Sequence, residues 1–93
     1  GHSIDEDEAT ASTVASVAGP DDVVVVVVKA WEPATMDAVD FVRALRGAIG
    51  EGRRIVVGAV RLDHTDDGVE QWRHRMKSLG DPWLRTLALE ADR

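Results

Sequence analysis

The stretch Asp21-Asp-Val-Val-Val-Val-Val-Val-Lys29 decides how this chain folds. Six consecutive valines have no polar face to give to water. Valine is β-branched and stiff at χ1, which suits a pleated strand better than a helix. A continuous apolar run reads as a strand buried on both faces, the pattern of a parallel sheet. Everything after it is then expected to supply cover.

Working outward, Trp31-Glu32-Pro33-Ala34 ends the first strand, expected over 22–30, because the residue before a proline avoids the α region. Thr35 is a candidate N-cap and Asp37 lies where a helix dipole favours a carboxylate. The apolar spacing Ala38, Phe41, Val42, Leu45, Ala48, Ile49 predicts a helix, and Gly50 and Gly52 stop it. Ile55, Val56, Val57 and Val60 predict a second strand over 54–62, weakened by Gly58 and Arg61. A turn-rich loop follows from Asp63, with Asp67 and Glu70 spaced as a capping box. The narrow stripe Val69, Trp72, Met76, Leu79 predicts a surface helix ended by Gly80 and Pro82, and 83–89 reads as a third strand.

The fold expected is α/β, β-α-β-α-β, with a three-stranded parallel sheet. Right-handed crossovers let strand order decide which faces the helices cover. Order 3-2-1 puts both helices on one face and leaves valines in water. Order 2-1-3 centres the valine strand and gives three layers, half of a Rossmann or flavodoxin-like fold. The valine run selects 2-1-3, leaving open edges at the second and third strands where another strand or another copy could add.

Composition narrows the function classes. The 93 residues fit one domain, residues 21–93, that buries only roughly 60% of its unfolded surface. Gly1-His2 resembles a tag remnant, and the chain reads as a fragment of a longer protein. The rest of 1–20 reads as a disordered acidic linker, or else as an amphipathic helix over 6–17 that docks on a missing region. Six of the seventeen acidic residues lie in 1–22, and the other eleven balance all eleven Lys and Arg. The net charge of -6 therefore belongs to the N-terminal stretch, and a formally neutral domain disfavours nucleic-acid binding. Without cysteine there are no disulfides, thiolate metal sites or cysteine nucleophiles. The longest strictly apolar run is six residues, far from the roughly 20 needed to span a bilayer.

Order 2-1-3 would place a ligand crevice at the carboxyl ends of the strands, lined by residues 29–35, Trp31 and Glu32 among them, and 63–67, Asp63 and His64 among them, with Glu90 nearby. Its chemistry is thin, since no glycine cradle separates strand from helix and Glu32 would repel phosphate. Gly47, Gly50 and Gly52 lie after a helix, the wrong end for a dinucleotide fingerprint. Asp63, His64, Asp66 and Asp67 match no cation-loop spacing, and loop acids ahead of a helix read first as caps. No metal and no cofactor is expected. His64 with Asp63 is the one general acid or base pairing to weigh, and His64 and His74 do not share a helix face. Arg73, Arg75 and Lys77 form a basic helix face that either meets an acidic partner or complements the helix C-terminus. Trp31, beside a proline in a loop, is a candidate contact residue.

The run Lys29-Ala30-Trp31-Glu32-Pro33, the helix with Phe41-Val42-Arg43-Ala44-Leu45-Arg46, the strand Ile55-Val56-Val57 and Leu79-Gly80-Asp81-Pro82-Trp83-Leu84 after Trp72 carry a resemblance over about 23–89. Together they resemble the C-terminal soluble portion of a family of uncharacterised bacterial membrane proteins encoded beside a GTPase-like protein. The resemblance implies a cytoplasmic domain whose parent is anchored in the inner membrane, with a protein partner of GTPase-like kind. It supplies no catalytic residues. The expected function is an interaction or regulatory module that binds rather than catalyses. The alternatives are a small-ligand or nucleotide-binding half-domain at the strand ends and an enzyme using Asp63 and His64.

Overall fold

A computed structural model of the chain describes residues 12–14, 16, 17, 19, 21–63 and 67–91. The order of elements follows the apolar periodicity: β1 (Val24–Lys29), α1 (Met36–Ile49), β2 (Ile55–Arg61), α2 (Gly68–Lys77) and β3 (Leu84–Glu90). All three strands run parallel. Thr35 enters α1 in extended conformation, but it caps with no side-chain hydrogen bond; its carbonyl accepts from the Val39 N–H. At the other end Gly50 (φ 88°) donates its N–H to the Arg46 carbonyl and Gly80 (φ 65°) closes α2, turns that a side chain at these angles would strain. The capping box expected at α2 is not made. Asp67 caps with no side-chain bond, and the Glu70 carboxylate pairs with Arg73 instead.

The sheet order is β1-β2-β3, not 2-1-3. This corrects the three-layer, half-Rossmann expectation at its premise, which was that no valine of β1 could be left in water. β2 takes the centre, with Ile55, Val57 and Ala59 all at 0% exposure. Both helices pack on that same face of β2: Val39 and Val42 of α1 join Val69, Trp72 and Met76 of α2 around Val57 and Ala59. The architecture is therefore two layers. The open edges are β1 and β3, rather than the second and third strands.

Side chains aligned across a parallel ladder share a face. Val25, Val56 and Arg85 align, as do Val27, Gly58 and Leu87, and this second face carries no helix among the described residues. Val25 and Val27 are 55% and 63% exposed, and Leu87 and Leu89 are 46% and 37%. Gly58, which weakens a strand by propensity, suits its centre: Leu89 and Val25 lean over it from either side. A Cβ placed at Gly58 would stand 2.5 Å from Leu89 Cδ1.

On the helix side α1 buries Val39, Val42, Leu45 and Ile49, so its stripe is turned slightly from the one expected and Ala48 is exposed. Residues 12–14 and 16–17 are helical, and Val14 packs half-buried against the cluster of Leu45, Ile49 and Ile55. Among the described residues no helix is long and apolar enough to cross a membrane.

Candidate functional site

Three surfaces could carry function, and each arises from a local feature of the sequence. The first is the turn after β1, where Pro33 forbids strand continuation. The Ala30 N–H donates to Val60 and the Glu32 N–H to Lys29, which folds the chain back over the end of β2. α2 holds this turn from below. The Trp72 indole N–H donates to the Glu32 carbonyl at 3.1 Å, and Arg75 Nε donates to the Ala34 carbonyl at 3.1 Å. Beside the turn, between α1 and β1, opens a cleft of about 680 Å³ with Val26, Phe41, Val57 and Met76 in its walls. Lys29, Glu32 and Asp37, all exposed, lie around it. Lys29 and Glu32 pair across the rim at 3.7 Å. The size falls within the range of small-molecule pockets, roughly 300–1,000 Å³.

This cleft is not the crevice expected from order 2-1-3. A strand-order reversal splays two loops apart and leaves a gap between them; order β1-β2-β3 has no reversal and hence no such gap. Of the residues expected around the crevice, Lys29, Glu32, Pro33 and Thr35 line the cleft, while Trp31, 46% exposed, and Asp63, exposed, are not among its lining residues. His64 and Asp66 lie outside the described residues, and with them the acid–base pairing of His64 with Asp63. Among the described residues no three His, Asp or Glu side chains gather as a cation would need.

The basic helix residues diverge. Arg73 pairs with Glu70 and points a second amine at the Thr86 carbonyl of β3, 3.5 Å away. Arg75 reaches the opposite way, to Ala34 and to the Met36 sulfur, and Lys77 is exposed. Two of the three are thus engaged in tying α2 to its neighbours.

The second surface lies at the other end of the strands and was not anticipated. The Leu79-Gly80-Asp81-Pro82-Trp83 turn closes onto α1, where Arg46 Nε donates to Asp81 Oδ2 at 2.7 Å with 16% and 12% of the two side chains exposed. Asp81 Oδ1 also accepts the Trp83 N–H, and Arg46 Nη1 donates to the Gly50 carbonyl. Arg46 Nη2 is buried without a partner among the described residues. A cleft of about 330 Å³ borders the pair. The charges are 35 positions apart in sequence, so no local spacing could have joined them.

The third surface is the uncovered sheet face of Val25, Val27, Leu87 and Leu89, flanked by Lys29 and Arg85. It was missed because the expected order buried β1 on both sides.

A family model described as a protein of unknown function (DUF2868) matches residues 1–81. The chain belongs to that family. The matched span takes in 1–20, read above as tag remnant and linker, and ends at Asp81, the partner of Arg46. No curated protein and no solved structure matches the chain. DUF2868 membership brings no residue roles with it, so the site must be argued from the geometry.

Proposed function

We propose that this DUF2868 chain is a protein-interaction or regulatory domain that binds rather than catalyses, and that it meets its partner through the uncovered face of its sheet. The observation that carries this reading is the exposure of Val25, Val27, Leu87 and Leu89 on one face of an all-parallel sheet. Parallel sheets are stable when both faces are covered, nearly always by helices. The matching occupant is an apolar helix face, and contiguous exposed apolar surface of this kind marks interaction sites. The resemblance to bacterial membrane proteins encoded beside a GTPase-like protein makes that neighbour the partner to test, with this domain on the cytoplasmic side of an inner-membrane parent. Titrating the GTPase-like protein into the isotope-labelled domain should shift the methyl resonances of Val25, Val27, Leu87 and Leu89. Shifts confined to the helix side, or none, would overturn the reading.

A second reading rests on the cleft between α1 and β1. Its apolar walls suit a small apolar ligand; Glu32 and Asp37 beside a single Lys29 make it unwelcoming to phosphates. Titration with guanine and adenine nucleotides, with and without magnesium, should leave Lys29, Glu32 and Thr35 unshifted. Clustered shifts there would favour the nucleotide-binding alternative.

A further inference from the structure

The two edges of this sheet are not equally protected, and the difference can be read atom by atom. On β3 the Trp83 carbonyl accepts from Ile55 and the Ala91 N–H donates to Arg61, so the odd-numbered residues turn their peptide groups toward β2 and the even-numbered ones face outward. That outward row is occupied in its first half: the Leu84 N–H donates to the Asp81 carbonyl, and Arg73 of α2 approaches the Thr86 carbonyl. Charged Arg85 and Glu90 sit on the same strand, devices that ordinarily keep an edge from pairing.

β1 is guarded only at its last residue, where Lys29 carries a charge and its carbonyl accepts the Glu32 N–H. The Val24 N–H donates to Arg54 and the Ala30 N–H to Val60, so the even-numbered residues serve the β2 ladder. Val23, Val25, Val27 and Lys29 therefore point their N–H and C=O groups away from the sheet, where no described strand lies. Between Asp22 and Lys29 the edge carries no charge, proline or bulge, only valine. This is the kind of edge that recruits another strand.

We infer that β1 pairs antiparallel with β1 of a second copy of this chain, joining two sheets into one of six strands about a twofold axis. The axis stands perpendicular to the sheet, since an isologous pair must keep like faces together. Residues facing each other across it then sum to an even number, with the odd-numbered groups hydrogen-bonded in pairs. Charge selects the register. With Val25 opposite Val25 of the second copy, Val23 faces Val27, and Asp21, in the turn just ahead of β1, comes to the Lys29 end of the other strand, so opposite charges meet at each end of the interface. Placing Val26 on the axis instead sets Asp21 against Trp31 and Lys29 against Val23, so no opposite charges meet across the interface. The pairing uses the edge of the sheet and not its face. In the dimer the two uncovered faces lie side by side on one surface, so this inference goes beyond the proposed partner contact and does not depend on it.

The test is sedimentation equilibrium of the full chain over a wide concentration range, with residue-resolved hydrogen exchange at both ends of it. The expected mass doubles with concentration. The amides of Val23, Val25, Val27 and Lys29 gain protection in the dimer, while those of Val24, Val26 and Val28 are protected throughout. Val25→Pro removes an outward donor without touching the β2 ladder and should leave a folded monomer. Lys29→Asp and Asp21→Lys, which leave the core untouched, should each lower the dimer fraction severalfold, and the double exchange should restore it. A chain that stays monomeric at every concentration overturns the inference. So does a dimer indifferent to the charge exchanges, or one broken by Leu87→Lys but not by Val25→Pro, which would place the interface on the face. Loss of GTPase-like partner binding with an unchanged dimer bears on the proposed function alone.

Discussion

Replacing Asp81 by alanine should cost this small domain a large share of its stability, and the cost can be bounded from the geometry. Exposed ion pairs contribute about 0–1 kcal/mol, and breaking a fully buried pair costs about 3–5 kcal/mol because one charge is stranded. Arg46 and Asp81, at 16% and 12% exposure and 2.7 Å apart, lie nearer the second case. The substitution leaves Arg46 with its Gly50 bond, but strands Nε beside an Nη2 that already has no partner among the described residues. Allowing for the remaining solvent contact, the expected loss is about 2–3 kcal/mol, against a total of roughly 5–15 kcal/mol for a domain of this size. In urea, with a slope of about 1–3 kcal/mol per molar, the midpoint should fall by about 0.7–3 M. The double replacement Arg46→Met with Asp81→Leu removes both charges and should cost no more than about 1 kcal/mol. Circular dichroism in urea of the unmodified chain, Arg46→Met, Asp81→Leu and the double variant completes the cycle, with Asp81→Ala measured beside them. A loss below about 0.5 kcal/mol for Asp81→Ala, or equal losses for the single and double variants, would refute the view that this pair locks the α2–β3 turn to α1.

Strand order can be tested by unequal valines. Val57→Ala, at 0% exposure in the central strand, should cost about 2 kcal/mol, while Val27→Thr, at 63% exposure, should stay within about 0.5 kcal/mol by thermal denaturation; the reverse ranking would return the valine strand to the centre. Gly58→Ala should be close to neutral although its Cβ meets Leu89 at 2.5 Å, because the 37% exposed Leu89 can swing toward solvent and alanine lowers the entropy of the unfolded chain. A loss above about 2 kcal/mol would mean that Leu89 is held in place.

How much of this was legible in the sequence depends on the range of the interaction concerned. The helix and strand periods, the stops at Gly50 and Gly80 and the break at Pro33 are local, and the five elements lie within two residues of where those signals put them. Strand order is not local. The valine run carries equal information about two faces and says nothing about which neighbour supplies the cover, so the demand for burial was assigned to the centre. Gly58 held the contrary signal, since Leu89 and Val25 close over that position of the central strand and leave little room for a side chain. The Arg46–Asp81 pair, the Trp72 bond to Glu32 and the divergence of Arg73 from Arg75 depend on how elements pack, and spacing alone could not show them.

The placement of β1 at an edge turns a folding question into a functional one. An edge strand is normally the place to spend charge and proline, because its outward peptide groups and exposed face both invite association. β3 follows that rule, with Arg73 at its Thr86 carbonyl and Arg85 and Glu90 along it. β1 breaks it with six valines, two of them more than half exposed, between Asp22 and Lys29. A strand that only closed one side of a monomeric sheet would need neither Val25 nor Val27 on its outer face, where polar residues cost nothing in packing and reduce sticking. Under the two proposals, the apolar side chains there await a surface that covers them, and the outward amides a strand that accepts them. These are separate demands, one met by a helix lying on the face and the other by a strand at the edge, and both converge on the same six residues.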